Sequence, residues 1–136
     1  MDKVIKENKN ESLRKNGFLV RFPKDCKFQG WWVQGIEKSP YVLSQPKCGC
    51  LTITFKEIDN MGDGAFIKEC ENFNELNNRT IIFEDLDVNG VSVCGERYID
   101  CLVTEIHFEP CDYSEDEKKY CKVIFYFEKV FPTIKD

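Results

Sequence analysis

The chain is 136 residues long and 42% hydrophobic, enough for one core and one domain. Its net charge of −5 is uneven: residues 1–47 carry ten Lys/Arg and five Asp/Glu, and residues 48–136 carry nine and nineteen, a balance that disfavours nucleic acid and favours a basic protein partner. No stretch approaches the roughly 18 consecutive apolar residues of a membrane span, and Met1-Asp2-Lys3-Val4-Ile5-Lys6 lacks the apolar run of a signal peptide, so the expectation is a cytoplasmic chain with no membrane partner and reduced thiols.

Residues 1–16 are polar, with Val4, Ile5 and Leu13 the apolar positions after Met1. They are expected to form a flexible arm ahead of a single domain over 17–136. Phe18, Val20 and Phe22 alternate with Leu19 and Arg21 before Pro23, which predicts a strand with one aromatic face. Lys27–Ile36 is expected to be a second extended stretch, with Trp31 and Trp32 on opposite sides. Cys48–Ile58 predicts a strand that turns Leu51, Ile53 and Phe55 one way and Cys50, Thr52 and Thr54 the other.

After a turn over 59–64, Asp63 can cap a helix. Phe66, Cys70 and Phe73 fall at i, i+4 and i+7, giving a helix of about three turns. The rest is expected to be β: Thr80–Leu86, a turn at Asp87-Val88-Asn89-Gly90 with the Asn-Gly hairpin signal, and Val91–Ile99 pairing back. Cys101–Glu109 and Lys119–Phe131 then form a hairpin around residues 112–118. The expected fold class is α+β: a mostly antiparallel sheet with one main helix packed on one face.

Eight cysteines beside a single histidine allow metal, disulfide or packing roles. Cys48 and Cys50, at i and i+2 on a strand, share a face and are the metal candidates. Cys-x-x-Cys, the usual zinc element, is absent, and further ligands would come singly from Cys26, Cys94, Cys101, Cys111, Cys121 or His107.

A Cys111–Cys121 disulfide needs a register that sets Phe125 opposite His107. Slipping by one residue sets Val123 opposite Phe108, Phe125 opposite Ile106 and Phe127 opposite Thr104. Core burial favours this second register, which puts the two thiols on opposite faces. Cys70 and Cys121 read as small core hydrophobes.

His107 is the sole histidine, and Cys101 on the same strand face is roughly 20 Å away along an extended chain. No phosphate-binding glycine loop or nucleophile elbow occurs, so an enzyme is not expected. Trp31-Trp32 is the strongest interaction signal: an exposed indole beside Phe28 makes a natural hot spot. Phe18, Phe22, Phe28, Trp31 and Trp32 near the basic arm also suit stacking on single-stranded nucleic acid, against which the acidic remainder counts.

Gly17-Phe18-Leu19-Val20-Arg21-Phe22-Pro23, Leu51-Thr52-Ile53-Thr54-Phe55, the short helix and Val88-Asn89-Gly90-Val91 before a strand together resemble the PsbP-type α/β sandwich, in outline over residues 17–131. The chain departs from that pattern by lacking its C-terminal helix. The resemblance implies a non-enzymatic binding or assembly role and carries over no site residues.

The function expected from the sequence is a small acidic cytoplasmic protein-binding domain, an inhibitor or immunity-type protein that blocks a basic partner. Its partner-binding residues would be Trp31, Trp32 and Phe28 with the acidic run Glu115, Asp116 and Glu117. It would need no cofactor. The alternatives are a zinc-stabilised structural or accessory domain built on Cys48 and Cys50, and a cysteine-dependent enzyme.

Overall fold

The computed structural model describes residues 17–40, 43–44, 47–56, 62–108 and 120–134. The expected arm over 1–16, Cys111 and the acidic run Glu115, Asp116 and Glu117 lie outside these residues. The elements in chain order are β1 (Phe18–Arg21), a 3-10 turn (Gly30–Trp32), β2 (Val33–Lys38), β3 (Gly49–Lys56), α1 (Asp63–Asn74), β4 (Ile81–Leu86), β5 (Ser92–Ile99), β6 (Leu102–Phe108), β7 (Tyr120–Phe127) and β8 (Lys129–Ile134).

The strands form two four-stranded antiparallel sheets, ordered β1-β4-β5-β8 and β2-β3-β7-β6. This corrects the expected single sheet with a helix on one face. The cause is that two long extended runs each change sheet midway. One run is β5 and β6, which turns at Asp100 with φ 56°. The other is β7 and β8, which turns at Glu128, whose N–H donates to the Ile99 carbonyl at 3.0 Å. The corners lie side by side, so β5 pairs with β8 in the first sheet and β6 with β7 in the second. The buried positions step by three residues across each corner, from Tyr98 to Cys101 and from Phe127 to Val130, and a two-residue strand period carried straight through does not anticipate that step.

Alternation holds strictly in β3 and β7. Leu51, Ile53 and Phe55 of β3 and Cys121, Val123 and Phe125 of β7 are fully buried. The β6–β7 register differs from the expected one by two residues: Val123 faces Ile106, and Phe125 faces Val103 beyond a bulge. A two-residue shift keeps every side chain on its face, so core burial alone does not select between the two.

In α1 the buried side chains are Phe66, Cys70 and Phe73, as the spacing predicts. The N-cap is Gly62, and Asp63 stands in the first turn instead, where its carboxylate meets the positive end of the helix dipole. Phe66 packs on Phe55 and Phe108, and Phe73 on Phe125. The helix thus covers part of the inner face of the second sheet. Asn74 pins its C-terminal end: Nδ2 donates to the Val103 carbonyl at 3.0 Å, and the Val103 N–H donates to Oδ1 at 2.7 Å.

The two sheets meet through Tyr98 and Phe127, ring centroids 4.8 Å apart. Lys38 of β2 reaches Glu96 of β5 at 3.1 Å and lies over the Phe83 ring of β4 at 4.1 Å. Close approach of β4 to β5 requires Gly95, where a Cβ would fall 2.0 Å from the Phe83 carbonyl oxygen. No helix among the described residues is long and apolar enough to cross a membrane.

Candidate functional site

Phe28 stands at the centre of the core. It is 4% exposed and touches the rings of Phe22, Phe55, Phe66, Phe73 and Phe125. Trp31, three residues on, is 63% exposed. Trp32 is half-buried against the core, its ring edge-on to Trp31 at 6.1 Å. The expectation that the two indoles differ in exposure rested on a strand. They lie instead in the 3-10 turn, which lifts Trp31 off the surface and folds Trp32 under it.

That turn is held against β1. A Cβ on Gly30 would come within 2.3 Å of the Val20 carbonyl oxygen, so only glycine lets the turn sit there. Leu86 N–H donates to the Gly17 carbonyl. Antiparallel alternation then points the backbone groups of Leu19 and Arg21 at β4 and those of Phe18 and Val20 outward. Gly30 covers the edge at Val20, and Phe18 presents its N–H and C=O beside the turn.

A groove of about 610 Å³ runs along this edge. Phe18, Phe22, Phe28, Val33 and Trp31 give it an apolar lining, and Arg21, Lys24 and Lys56 are its charged side chains. Arg21 also pairs with Glu84 at 3.1 Å. Burial raises the Cys26 thiol, which lines the same groove, with Glu69 adding to the effect. The structure thus joins Phe18, Phe22, Phe28 and Trp31, but not Trp32, to three cations not singled out in the sequence. The interleaving of Phe18, Phe22 and Phe28 with Arg21 and Lys24 was the available signal for two of them; Lys56, at the end of β3, is brought in by the fold.

The other candidates do not converge. Cys48 is half-buried and Cys50 exposed. Cys48 is hydrogen-bonded to the Tyr126 hydroxyl, which pushes that phenol above its ordinary range. No group of three or more potential metal ligands occurs among the described residues. His107 is exposed and contacts Glu105 at 2.7 Å. It faces Lys122 across the ladder. Burial pushes the Cys70 and Cys101 thiols up to about 12, so at neutral pH they are protonated and poorly nucleophilic. Cys94 donates to Asp85 at 3.5 Å, and burial followed by that carboxylate raises its pKa.

No family model matches the chain, and no curated protein does. Solved structures share its fold. A chain of the PVC sheath-tube complex, from an extracellular contractile injection system in the extended state, aligns with TM-score 0.67 and 9% identity, covering 88% of this chain and 90% of that one. A chain of the anti-feeding prophage cap, which terminates the tube, aligns with TM-score 0.67 and 10% identity over 88% and 89%. A type six secretion system protein aligns with TM-score 0.53 and 12% identity over 85% and 81%.

At these identities the likeness is one of fold. It overturns the PsbP-type resemblance, whose motifs (strand alternation and an Asn-Gly turn) are common to antiparallel β proteins. It also overturns the inhibitor or immunity-type function, because the neighbours are parts of injection and secretion assemblies.

Proposed function

We propose that this chain is a structural, non-enzymatic subunit of a contractile-injection-type tube or tube cap, working through contacts with other protein chains. The observation that carries this is the two-sheet fold shared over 88% of the chain with a sheath-tube component and a tube-terminating cap. The surface chemistry supports it. No polar or charged residue is buried among the described residues, so the core itself is apolar packing. Apolar side chains stand outside as well: Trp31 at the groove, and Val91, Val93 and Phe131 on or beside the first sheet. Exposed apolar groups of this size mark protein contacts when they cluster.

The test is assembly of the purified full-length chain. Sedimentation velocity and negative-stain microscopy across a concentration series are expected to show closed rings or short stacks. A chain that stays monomeric at every concentration overturns the tube-subunit function.

A further inference from the structure

The groove along β1 is cationic in an acidic protein. Arg21, Lys24 and Lys56 line it with no carboxylate among the lining residues, although the chain carries a net −5. Arg21 is engaged by Glu84; Lys24 and Lys56 have no ion pair among the described residues. Residues 109–119, which connect β6 to β7, have the opposite composition. They contain Glu109, Asp112, Glu115, Asp116 and Glu117, with Tyr113 among them, against Lys118 and Lys119. One chain therefore carries both halves of a complementary pair.

We propose that the groove receives the 109–119 segment of a second copy of this chain. The carboxylates meet Arg21, Lys24 and Lys56, and Trp31 is the aromatic anchor at the groove's mouth. The outward N–H and C=O of Phe18 offer the backbone bonds by which an extended segment adds to a sheet edge. This deepens the assembly function proposed above and rests on it. The contact is heterologous, groove on one copy and acidic segment on the next, so it propagates from copy to copy instead of closing as a two-fold pair. That is the kind of contact a ring or tube requires.

The probe is a synthetic peptide of residues 109–119 carrying Cys111→Ser, titrated into the full-length chain with tryptophan fluorescence as readout. Saturable binding is expected, and Trp31→Ala should abolish the fluorescence change. Lys24→Glu with Lys56→Glu should weaken binding about tenfold or more, as should Glu115→Gln, Asp116→Asn and Glu117→Gln in the peptide. Binding should also weaken as salt rises, because exposed charges are screened within about 8 Å at physiological ionic strength. The thermal midpoint of the double lysine variant confirms that it folds.

In the full-length chain the two lysine substitutions should abolish self-association. A chain with Glu115→Lys, Asp116→Lys and Glu117→Lys should likewise fail to self-associate alone, whereas mixing it with the lysine variant, or combining both sets in one chain, should restore association because each groove then meets a segment of opposite charge. Absence of peptide binding, or binding indifferent to Lys24 and Lys56, overturns the proposal. Self-association untouched by the charge reversals also overturns it and leaves the assembly function standing. Lysine-dependent peptide binding by a chain that never self-associates overturns the docking of a second copy and the assembly function with it.

Discussion

Phe28 and Trp31 show how differently two aromatic side chains three residues apart can serve one protein. Phe28 is packed among five rings, and Trp31 stands in solvent at the groove. Phe28→Ala is expected to cost about 3–5 kcal/mol of stability through lost burial and the cavity left behind. Trp31→Ala should change stability by no more than about 0.5 kcal/mol. Urea denaturation of both variants checks the contrast; equal losses would contradict it.

The buried thiols give a pH dependence. Cys70 and Cys101 rise from an ordinary 9.0 to about 12, chiefly through burial. The folded state therefore holds these protons more tightly than the unfolded state. Their contribution is full below pH 9.0 and is lost as pH climbs from there toward about 12. The thermal midpoint should fall through that window, and less so in Cys70→Ala than in wild type. A flat profile would show that the thiols are not desolvated. Cys70 and Cys121 were legible as core from their place in an apolar stripe. Cys101 was not: it sits just ahead of β6, and its burial is set by the sheet-to-sheet corner, where its Sγ donates to the Tyr98 carbonyl at 3.4 Å.

At the scale of elements, the legible parts were those with a local cause. The helix follows from Phe66, Cys70 and Phe73, and β3 from its strict alternation. The turn after β4 follows from Asp87, whose Oδ1 accepts the Asn89 and Val91 N–H groups, and from Gly90 at φ 79°. Trp31-Trp32 was misread as strand because the 3-10 turn depends on Gly30 reaching the backbone of β1, ten residues earlier in the chain.

The corner at Asp100 is a further case. Its φ of 56° is a left-handed conformation that aspartate tolerates and β-branched residues do not. Asp100→Val is expected to cost about 1–2 kcal/mol, and Asp100→Gly close to nothing. Chemical denaturation of the pair checks this. Equal effects would mean that the side chain, and not the backbone angle, matters there.

For the molecule as a whole, the core is one continuous cluster reaching from Val20 in the first sheet through Phe28 and α1 to Phe125 in the second. Fluorescence and circular dichroism should therefore report a single coincident unfolding transition. Two separated transitions would show that the sheets fold independently.

What the sequence determined by itself was the face each residue takes within its own element. Strand and helix periods decide inside from outside locally, which is why the buried set of β3, β7 and α1 could be read directly. What the tertiary structure decided was which inside belongs to which sheet. The period slips by one residue at each corner, where buried Tyr98 and Cys101, and Phe127 and Val130, stand three apart, and it is the long-range pairing of β5 with β8 and β6 with β7 that divides the strands into two sheets. The groove follows from that division, because the free edge of β1 and the turn bearing Trp31 become neighbours only once both sheets are in place.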